Sequence, residues 1–170
     1  ARGAVRGWRL VRLATAQAAP PAGATDLGAA AAWALAQTRR RALVVLLSDF
    51  RDPALARAVA GGGGSPLAAL ARRHEVVPIV VDDPRERALV AAGGVRLVDP
   101  EAGGRARVLG TGRRRRARYA ASAEARRRAL IQRLRSEGAD PLLLSTADDA
   151  LRVLVRFFRA RSARGRSGWR

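Results

Sequence analysis

Hydroxyl and carboxylate side chains stand at two junctions of the sequence where oxygen donors can meet a ligand. Ser48 and Asp49 directly follow the unbroken apolar run 43–47, and Thr25 and Asp26 directly precede an alanine-rich segment. A carboxylate inside an apolar run is costly to ionise. Just beyond the run, the same group can face a cation or a helix N-terminus. The alternative roles are structural: Thr25 or Asp26 caps a helix, and Asp49 satisfies backbone amides in a turn.

The other polar residues lack the neighbours that catalysis requires. Ser48 is not part of the Gly-x-Ser-x-Gly elbow of a hydrolase nucleophile. His74 is the single histidine and has neither a cysteine nor a second histidine nearby. The glycine-rich stretch 61–65 has no lysine after it and is not a phosphate loop. Asp82 and Asp83 precede a proline and favour a turn. We therefore predict a protein that is not an enzyme.

Arginine supplies all 33 basic residues, against 14 acidic residues, and the net charge is +19. The arginines cluster at 113–118, 126–128 and 156–170. This charge favours a polyanionic partner, either nucleic acid or an anionic membrane. The alternative is a GC-rich coding sequence that places arginine on solvated faces. Tyr119 is the one aromatic residue beside the first cluster, which argues against a stacking platform for single strands.

The length of 170 residues is that of one domain. The absence of cysteine excludes a disulfide scaffold and a thiolate metal site. No apolar run is long enough to span a membrane, and no signal peptide opens the chain. Because methionine is also absent, we expect a fragment or a trimmed N-terminus.

The hydrophobic pattern predicts helices that alternate with short buried strands. Helices are predicted over 4–18, 27–40, 114–137 and after residue 146, strands over 42–48, 75–83 and 141–146, and a hairpin over 94–109. Such alternation indicates an α/β fold with a parallel sheet covered on both faces. Ligands of open α/β sheets bind beyond the carboxyl ends of the strands, where Asp49 would lie. We expect Thr25 to face the same rim.

Three local signals refine this prediction. Pro78 lies within the second strand and cannot donate to a ladder, so an edge position or a bulge is expected there. Thr146 and Asp149 have the spacing of a capping box in its acidic form. Gly138 is placed to end the long helix in a left-handed conformation.

Several segments together resemble the C-terminal half of bacterial proteins in the domain-of-unknown-function family fifty-eight. They include "TDLGAAAAWALAQTRRRALVVLLSDFRDP", "ARRHEVVPIVVDDPRE" and "RYAASAEARRRAL", and the resemblance runs from about residue 22 to 163. It implies a parallel-sheet, three-layer von Willebrand factor A-like (Rossmann-like) fold that is N-terminally truncated and carries an inserted β-hairpin. The partial domain would cover residues 1–163, and residues 164–170 would be a disordered basic tail.

The resemblance further implies a metal-ion-dependent adhesion site that holds Mg²⁺. In such domains a D-x-S-x-S motif, a threonine on a second loop and an aspartate after a later strand bind the metal. Thr25 matches that threonine and Asp49 that aspartate. No D-x-S-x-S occurs in these 170 residues, so the site is incomplete in this chain.

The function implied by the resemblance is that of a non-enzymatic interaction and assembly module that works with a MoxR-type AAA+ ATPase or its client. The expected location is the cytoplasm, including the cytoplasmic face of the membrane if missing upstream segments carry an anchor. The alternative is an arginine-rich domain that binds nucleic acid or an anionic membrane.

Overall fold

The computed structural model describes residues 25–52, 65–99 and 105–163. The helices are α1 (Leu27–Gln37), α2 (Pro66–Arg73), α3 (Arg113–Ser136) and α4 (Ala150–Ala163), with a 3₁₀ turn at Pro84–Glu86. The strands are β1 (Leu43–Ser48), β2 (Glu75–Asp82), β3 (Gly94–Asp99), β4 (Arg105–Gly110) and β5 (Leu142–Ser145). The helix predicted at 4–18, the glycine run at 61–64 and the tail at 164–170 lie outside the described residues.

Three parallel strands form the main sheet in the order β1-β2-β5. Leu43 aligns with Glu75, and Ile79 aligns with Leu142. Each strand is followed by at least one helix before the next strand of the sheet, as parallel connections require. The predicted α/β class with a parallel sheet is therefore confirmed.

The sequence predicts that Pro78 lies on an edge strand or at a bulge, and this prediction is wrong. Pro78 lies in β2, the central strand of the sheet, where its side chain is fully buried and its Cα pairs with that of Leu46. The pairing of β2 with β5 begins one residue later, at Ile79. Proline has no N–H to donate, and it is tolerated at position 78 because this position comes before the residues of β2 that pair with β5.

Helices cover both faces of the sheet. On one face, α1, α2 and α3 pack against β2 through a buried cluster that includes Ala31, Leu70, Val80 and Leu134. On the other face, Val77, Ile79 and Leu142 pack against apolar residues of α4. Burial of these aliphatic side chains is the main force that holds the layers together.

The prediction that the first strand is buried on both faces is wrong for β1. Val44 and Leu46 pack into the core, whereas Val45 is 46% exposed and Leu47 66% exposed. The side chains alternate between the two faces of a strand. On the second face of β1, Leu43 packs against the cluster below α4, but α4 lies mainly over β2 and β5, and the described residues leave Val45 and Leu47 largely uncovered.

Polar residues end the helices at defined positions. Asp26, rather than Thr25, caps α1 by accepting a 2.7 Å hydrogen bond from the N–H of Ala29. The predicted capping role of Thr146 is wrong, because Asp149 accepts from the N–H of Arg152 and α4 begins at the next residue. Gly138 has a φ of +85° at the end of α3, as predicted.

The predicted hairpin is present as β3 and β4, which pair in antiparallel register from Gly94–Gly110 to Asp99–Arg105. This pair forms its own two-stranded sheet, separate from the parallel one. The hairpin lies between β2 and α3 in the chain, so it is an insertion between two elements of the main layer structure.

A buried ion cluster lies at the amino-terminal edge of the sheet. The guanidinium of Arg161 in α4 is 9% exposed and contacts Glu75 at 2.5 Å and Asp140 at 2.7 Å. Glu75 starts β2, and Asp140 shortly precedes β5. The cluster therefore fastens α4 to the beginning of two strands.

Candidate functional site

The carboxyl ends of the three parallel strands bring polar residues to one edge of the sheet. β1 ends at Ser48, β2 at Asp82 and β5 at Ser145. Asp82 and Ser145 are direct partners in the register, and the N–H of Thr146 donates to the carbonyl of Asp82. This carboxyl edge is the place where ligands of parallel α/β sheets bind.

The turn after β1 is built by its own polar side chains. The N–H of Phe50 donates to Ser48 Oγ at 3.0 Å, and the N–H of Arg51 donates to Asp49 Oδ1 at 3.2 Å. Phe50 has a φ of +55°, a left-handed conformation that non-glycine residues rarely adopt, and its ring is buried in the core. The buried ring holds the strained turn, which leaves the Asp49 side chain at the surface.

A hydrogen bond joins this turn to the start of α1. The N–H of Leu27 donates to Asp52 Oδ2 at 2.8 Å, and Asp52 is only 7% exposed. The amide of Leu27 belongs to the first turn of a helix, where N–H groups have no partner within the helix. Asp52 therefore fixes the N-terminus of α1 against the turn that carries Asp49.

Both predicted site residues lie at the carboxyl edge. Thr25 is two residues before Leu27, and Asp49 is three residues before Asp52, so the Leu27–Asp52 bond brings their segments together. Both side chains are exposed, with Asp49 at 54%. Within the described residues, no hydrogen bond joins the Thr25 hydroxyl to the Asp49 carboxylate.

The structural roles considered as alternatives, helix capping for Thr25 and bonding to turn amides for Asp49, have different outcomes. Asp26 caps α1, so the Thr25 hydroxyl does not have this structural role. Asp49 does satisfy a backbone amide, that of Arg51, and its Oδ2 lies 3.9 Å from Arg51 Nε. The Ser48 hydroxyl also lies 3.4 Å from Asp49 Oδ1, and 54% of the Asp49 side chain is exposed.

A cavity of about 460 Å³ opens beside this turn. It lies between the ends of β1 and β2 and the middle of α3, and its walls include Asp49, Asp82 and Leu130. Thr25 does not contribute to its lining. Of the two predicted site residues, only Asp49 lines the cavity.

Alternating charges line the cavity. Arg51 contacts Glu86 at 2.5 Å, Arg87 forms an ion pair with Asp82, and Arg127 contacts Glu124 at 3.1 Å. The hydrogen bond from Arg127 lowers the pKa of Glu124, and the charges of Arg127, Arg128 and Arg87 lower it further. Glu124 is therefore held as a carboxylate by the neighbouring guanidinium groups.

The turn predicted for Asp82 from the sequence is wrong, and the acids and arginines of the cavity were not predicted. Asp83 forms the expected turn, by accepting from the N–H of Arg85. Asp82 is instead the last residue of β2 and lines the cavity. The signal was present in the sequence, because Asp82 directly follows the apolar run 76–81 just as the polar residues Ser48 and Asp49 follow the apolar run 43–47.

The donor set at the carboxyl edge has the chemistry that Mg²⁺ prefers. Mg²⁺ takes oxygen ligands, keeps several waters and is usually bound by one or two carboxylates. The Thr25 hydroxyl and the Asp49 carboxylate offer oxygen donors of this kind, and both side chains are exposed. The described part of the chain contains no group of three or more His, Cys, Asp or Glu side chains arranged to hold a metal.

The fold and the polar carboxyl edge define an α/β protein with a candidate ligand site at the ends of its parallel strands. Residues 2–129 match the family described as "Protein of unknown function DUF58", and the chain belongs to this family. The family assignment made from the sequence motifs is thereby confirmed.

The chain is similar to several mycobacterial proteins. An uncharacterized protein of Mycobacterium avium is 36% identical over 149 residues, which cover 88% of this chain and 83% of that protein. Uncharacterized proteins of Mycobacterium bovis and Mycobacterium tuberculosis are also 36% identical over 149 residues, but the match covers 44% of their length. The chain therefore spans less than half of these longer relatives. No solved structure matches it.

Among the described residues, no helix is both long enough and apolar enough to cross a bilayer.

Proposed function

We propose that the protein is a non-enzymatic interaction and assembly module that binds a partner through a Mg²⁺-dependent adhesion-type site at the carboxyl edge. Thr25 and Asp49 would be its ligands. The observation that carries this proposal is the 2.8 Å hydrogen bond between the Leu27 N–H and the Asp52 carboxylate. It keeps the segments of Thr25 and Asp49 at one edge, where both side chains are exposed.

In this proposal, bound Mg²⁺ supplies a positive centre that an acidic side chain of the partner can join. Asp49 contributes the negative charge, and Thr25 contributes a hydroxyl that binds directly or through a water. The buried ring of Phe50 and the buried carboxylate of Asp52 hold the two segments in place. Two protein ligands leave most of an octahedral shell to other groups. The ligand set is therefore incomplete in this chain, and weak binding of the metal is expected.

The proposal includes a von Willebrand factor A-like arrangement that is N-terminally truncated. Its support is the uncovered side of β1. Val45 and Leu47 are exposed, and the outer edge of β1 pairs with no strand among the described residues. An exposed apolar edge strand is a site of further pairing. A further strand and helix on this side would bury both residues.

The proposed partner is a MoxR-type AAA+ ATPase or one of its clients, and the proposed location is the cytoplasm or the cytoplasmic face of the membrane. These assignments rest on the family resemblance. The charged cavity beside Asp49 supports a protein partner, because its alternating acids and arginines suit a surface of mixed charge better than a uniformly charged polymer.

A pull-down with the cognate ATPase tests this function. We expect recovery in the presence of Mg²⁺ to exceed recovery in the presence of EDTA, and Asp49→Ala to lose the difference. Asp149→Ala is the matched control, because it removes a helix-capping carboxylate that follows β5 at the same edge. Equal recovery of the wild type and Asp49→Ala under both conditions would contradict the proposal.

A further inference from the structure

The first turns of α3 carry positive charge that no acidic side chain offsets. Residues 113–116 are all arginine, and the first turn of the helix contains no acidic residue. The N-terminus of a helix is already the positive end of its dipole, so cations are unfavourable there. In the part of the chain that the structure describes, no carboxylate pairs with Arg113, Arg114, Arg115 or Arg118. Such a departure from a local rule is expected where function needs the charge.

A groove of about 840 Å³, here called the arginine groove, lies along these turns. Arg114, Arg118 and Ser122 follow one another at intervals of four residues, and so do Arg115 and Tyr119. Residues four apart lie on the same face of a helix, so one side of α3 forms a wall of the groove. The rest of the lining is largely apolar and includes Leu89, Leu109 and Gly110.

The end of the β3–β4 hairpin is fastened to the start of α3, which fixes the lining of the groove. Thr111 is buried, its Oγ1 accepts from the N–H of Ala92 at 3.1 Å, and its N–H donates to the carbonyl of Gly93 at 3.1 Å. The guanidinium of Arg115 lies 3.5 Å from the carbonyl oxygen of Gly110. The groove is therefore formed before a ligand binds, which lowers the ordering cost of binding.

The arginine groove adjoins the cavity beside Asp49. Ser122 lines the groove and Arg126 lines the cavity, and the Arg126 guanidinium donates to Ser122 Oγ at 2.7 Å. A protein partner that contacts the carboxyl edge of the sheet can therefore reach the groove along α3.

We propose that the arginine groove binds an acidic peptide segment of a protein partner, in which an apolar side chain lies between carboxylates. Guanidinium groups pair with carboxylates through charge-assisted hydrogen bonds. Successive side chains of an extended peptide point in opposite directions. Such a peptide can present carboxylates to Arg114 and Arg118 while its apolar side chain contacts Leu89 and Leu109. This contact requires no metal and is independent of the proposed Mg²⁺ site.

The lining of the groove favours a peptide over the other polyanions that arginines attract. Single-stranded nucleic acid binds by stacking on exposed aromatic rings, and Tyr119 is half-buried. A membrane surface receives apolar side chains that project into it. Leu89 and Leu109 are instead partly buried within the groove, where a single peptide chain can reach them.

Fluorescence anisotropy tests the proposal on the whole 170-residue chain at physiological salt. The probe is a fluorescein-labelled peptide of glutamates interrupted by single leucines, and comparison peptides replace the leucines with serine or the glutamates with glutamine. The first variant is Arg114→Gln/Arg118→Gln. The matched control is Arg152→Gln/Arg156→Gln, which removes two exposed arginines at the same spacing from α4. The second variant, Leu89→Ser, keeps every charge. Thermal melting followed by circular dichroism shows that each variant is folded.

The wild type and the α4 control are expected to bind the glutamate–leucine peptide equally well. The α3 variant should bind it about tenfold more weakly, because it loses two exposed ion pairs. Leu89→Ser should weaken binding severalfold, because less apolar surface is buried. EDTA and Asp49→Ala should change nothing, so failure of the metal site would leave this result intact.

Three results would overturn the proposal. The first is an equal loss of affinity in the two double-arginine variants, which would show that only total charge matters. The second is binding of the serine peptide as tight as that of the leucine peptide. The third is displacement of the labelled peptide by a single-stranded oligonucleotide, or by phosphatidylglycerol vesicles, at a lower concentration of negative charge than unlabelled peptide requires. Peptide binding that EDTA or Asp49→Ala abolishes would place the peptide at the carboxyl edge and would also contradict the groove.

Discussion

The backbone N–H of Leu27 donates to the buried carboxylate of Asp52 at 2.8 Å, across 25 residues of sequence. Through this bond the start of α1 meets the turn that follows β1. Asp49 and Thr25 flank the bond on its two sides and are exposed at the same edge of the sheet. Asp52 is thus a positioning residue for the candidate site, and it is itself only 7% exposed.

Replacement of Asp52 should destabilise the protein. Asp52→Ala leaves the Leu27 amide without its acceptor, and we expect the free energy of unfolding to fall by about 1–3 kcal/mol. Asp52→Asn keeps one acceptor oxygen and should lose less. Urea unfolding measures both changes.

Asp49→Ala is the control for this experiment. The Asp49 side chain is 54% exposed, so its removal should change stability by within about 0.5 kcal/mol. An Asp52→Ala protein as stable as Asp49→Ala would show that the bond to Leu27 does not hold the edge together.

The pattern of apolar runs was sufficient to predict the strands of the parallel sheet and the hairpin. Runs such as Leu43–Ser48 are too short for helices and contain β-branched residues, so the sequence identifies them as strands. The carboxyl-edge position of Asp49 follows directly, because the residue after a parallel strand must lie there. The same reasoning applied to Asp82 would have predicted the second wall of the cavity.

Features that depend on long-range packing were not predictable. Pro78 was expected at an edge because the sequence does not reveal that β5 begins to pair only at Ile79. The buried role of Asp52 depends on a partner 25 residues away. The exposure of Leu47 depends on where α4 lies, and no local pattern specifies this.

The ion cluster of Arg161 provides a second stability prediction. Arg161→Ala leaves Glu75 and Asp140 without their cation, and unfolding free energy should fall by about 3–5 kcal/mol. Combining Arg161→Met with Glu75→Gln and Asp140→Asn should recover much of that loss, because no buried charge remains. Guanidinium unfolding compares these variants with Arg159→Ala, an exposed arginine on the same helix. A loss for Arg161→Ala no larger than for Arg159→Ala would contradict the prediction.

His74 offers a prediction of the opposite sign. It is 3% exposed, and neither ring nitrogen has a hydrogen-bond partner among the described residues. Replacing a buried polar group that lacks partners with an apolar one of similar size is neutral or stabilising. We expect His74→Leu to leave the melting temperature unchanged or raised. A fall in unfolding free energy of more than about 2 kcal/mol would show that the imidazole makes a required contact.

The pKa of Glu124 predicts a dependence of stability on acid. The hydrogen bond and charge of Arg127 lower this pKa in the folded protein below its usual 4.5. A carboxylate whose pKa is lower in the folded protein than in the unfolded one stabilises the fold at pH values above the unfolded-state pKa. This stabilisation is lost as the pH falls through the folded-state pKa. Glu124→Gln should therefore be less stable than the wild type at neutral pH, and the two should converge below the lowered pKa. Thermal melting at a series of pH values measures the difference in stability between the two proteins. A difference that stays constant as the pH is lowered would contradict the prediction.

The most direct test of the carboxyl-edge site is paramagnetic broadening of backbone amide signals by Mn²⁺, a substitute for Mg²⁺ that reports even weak binding. We predict that the amides of residues 25–27 and 48–52 broaden first in the wild type, that excess Mg²⁺ reverses the effect, and that Asp49→Ala abolishes it while Asp149→Ala does not. Broadening that begins at other acidic residues, or that is the same in Asp49→Ala as in the wild type, would contradict a shared cation site of Thr25 and Asp49.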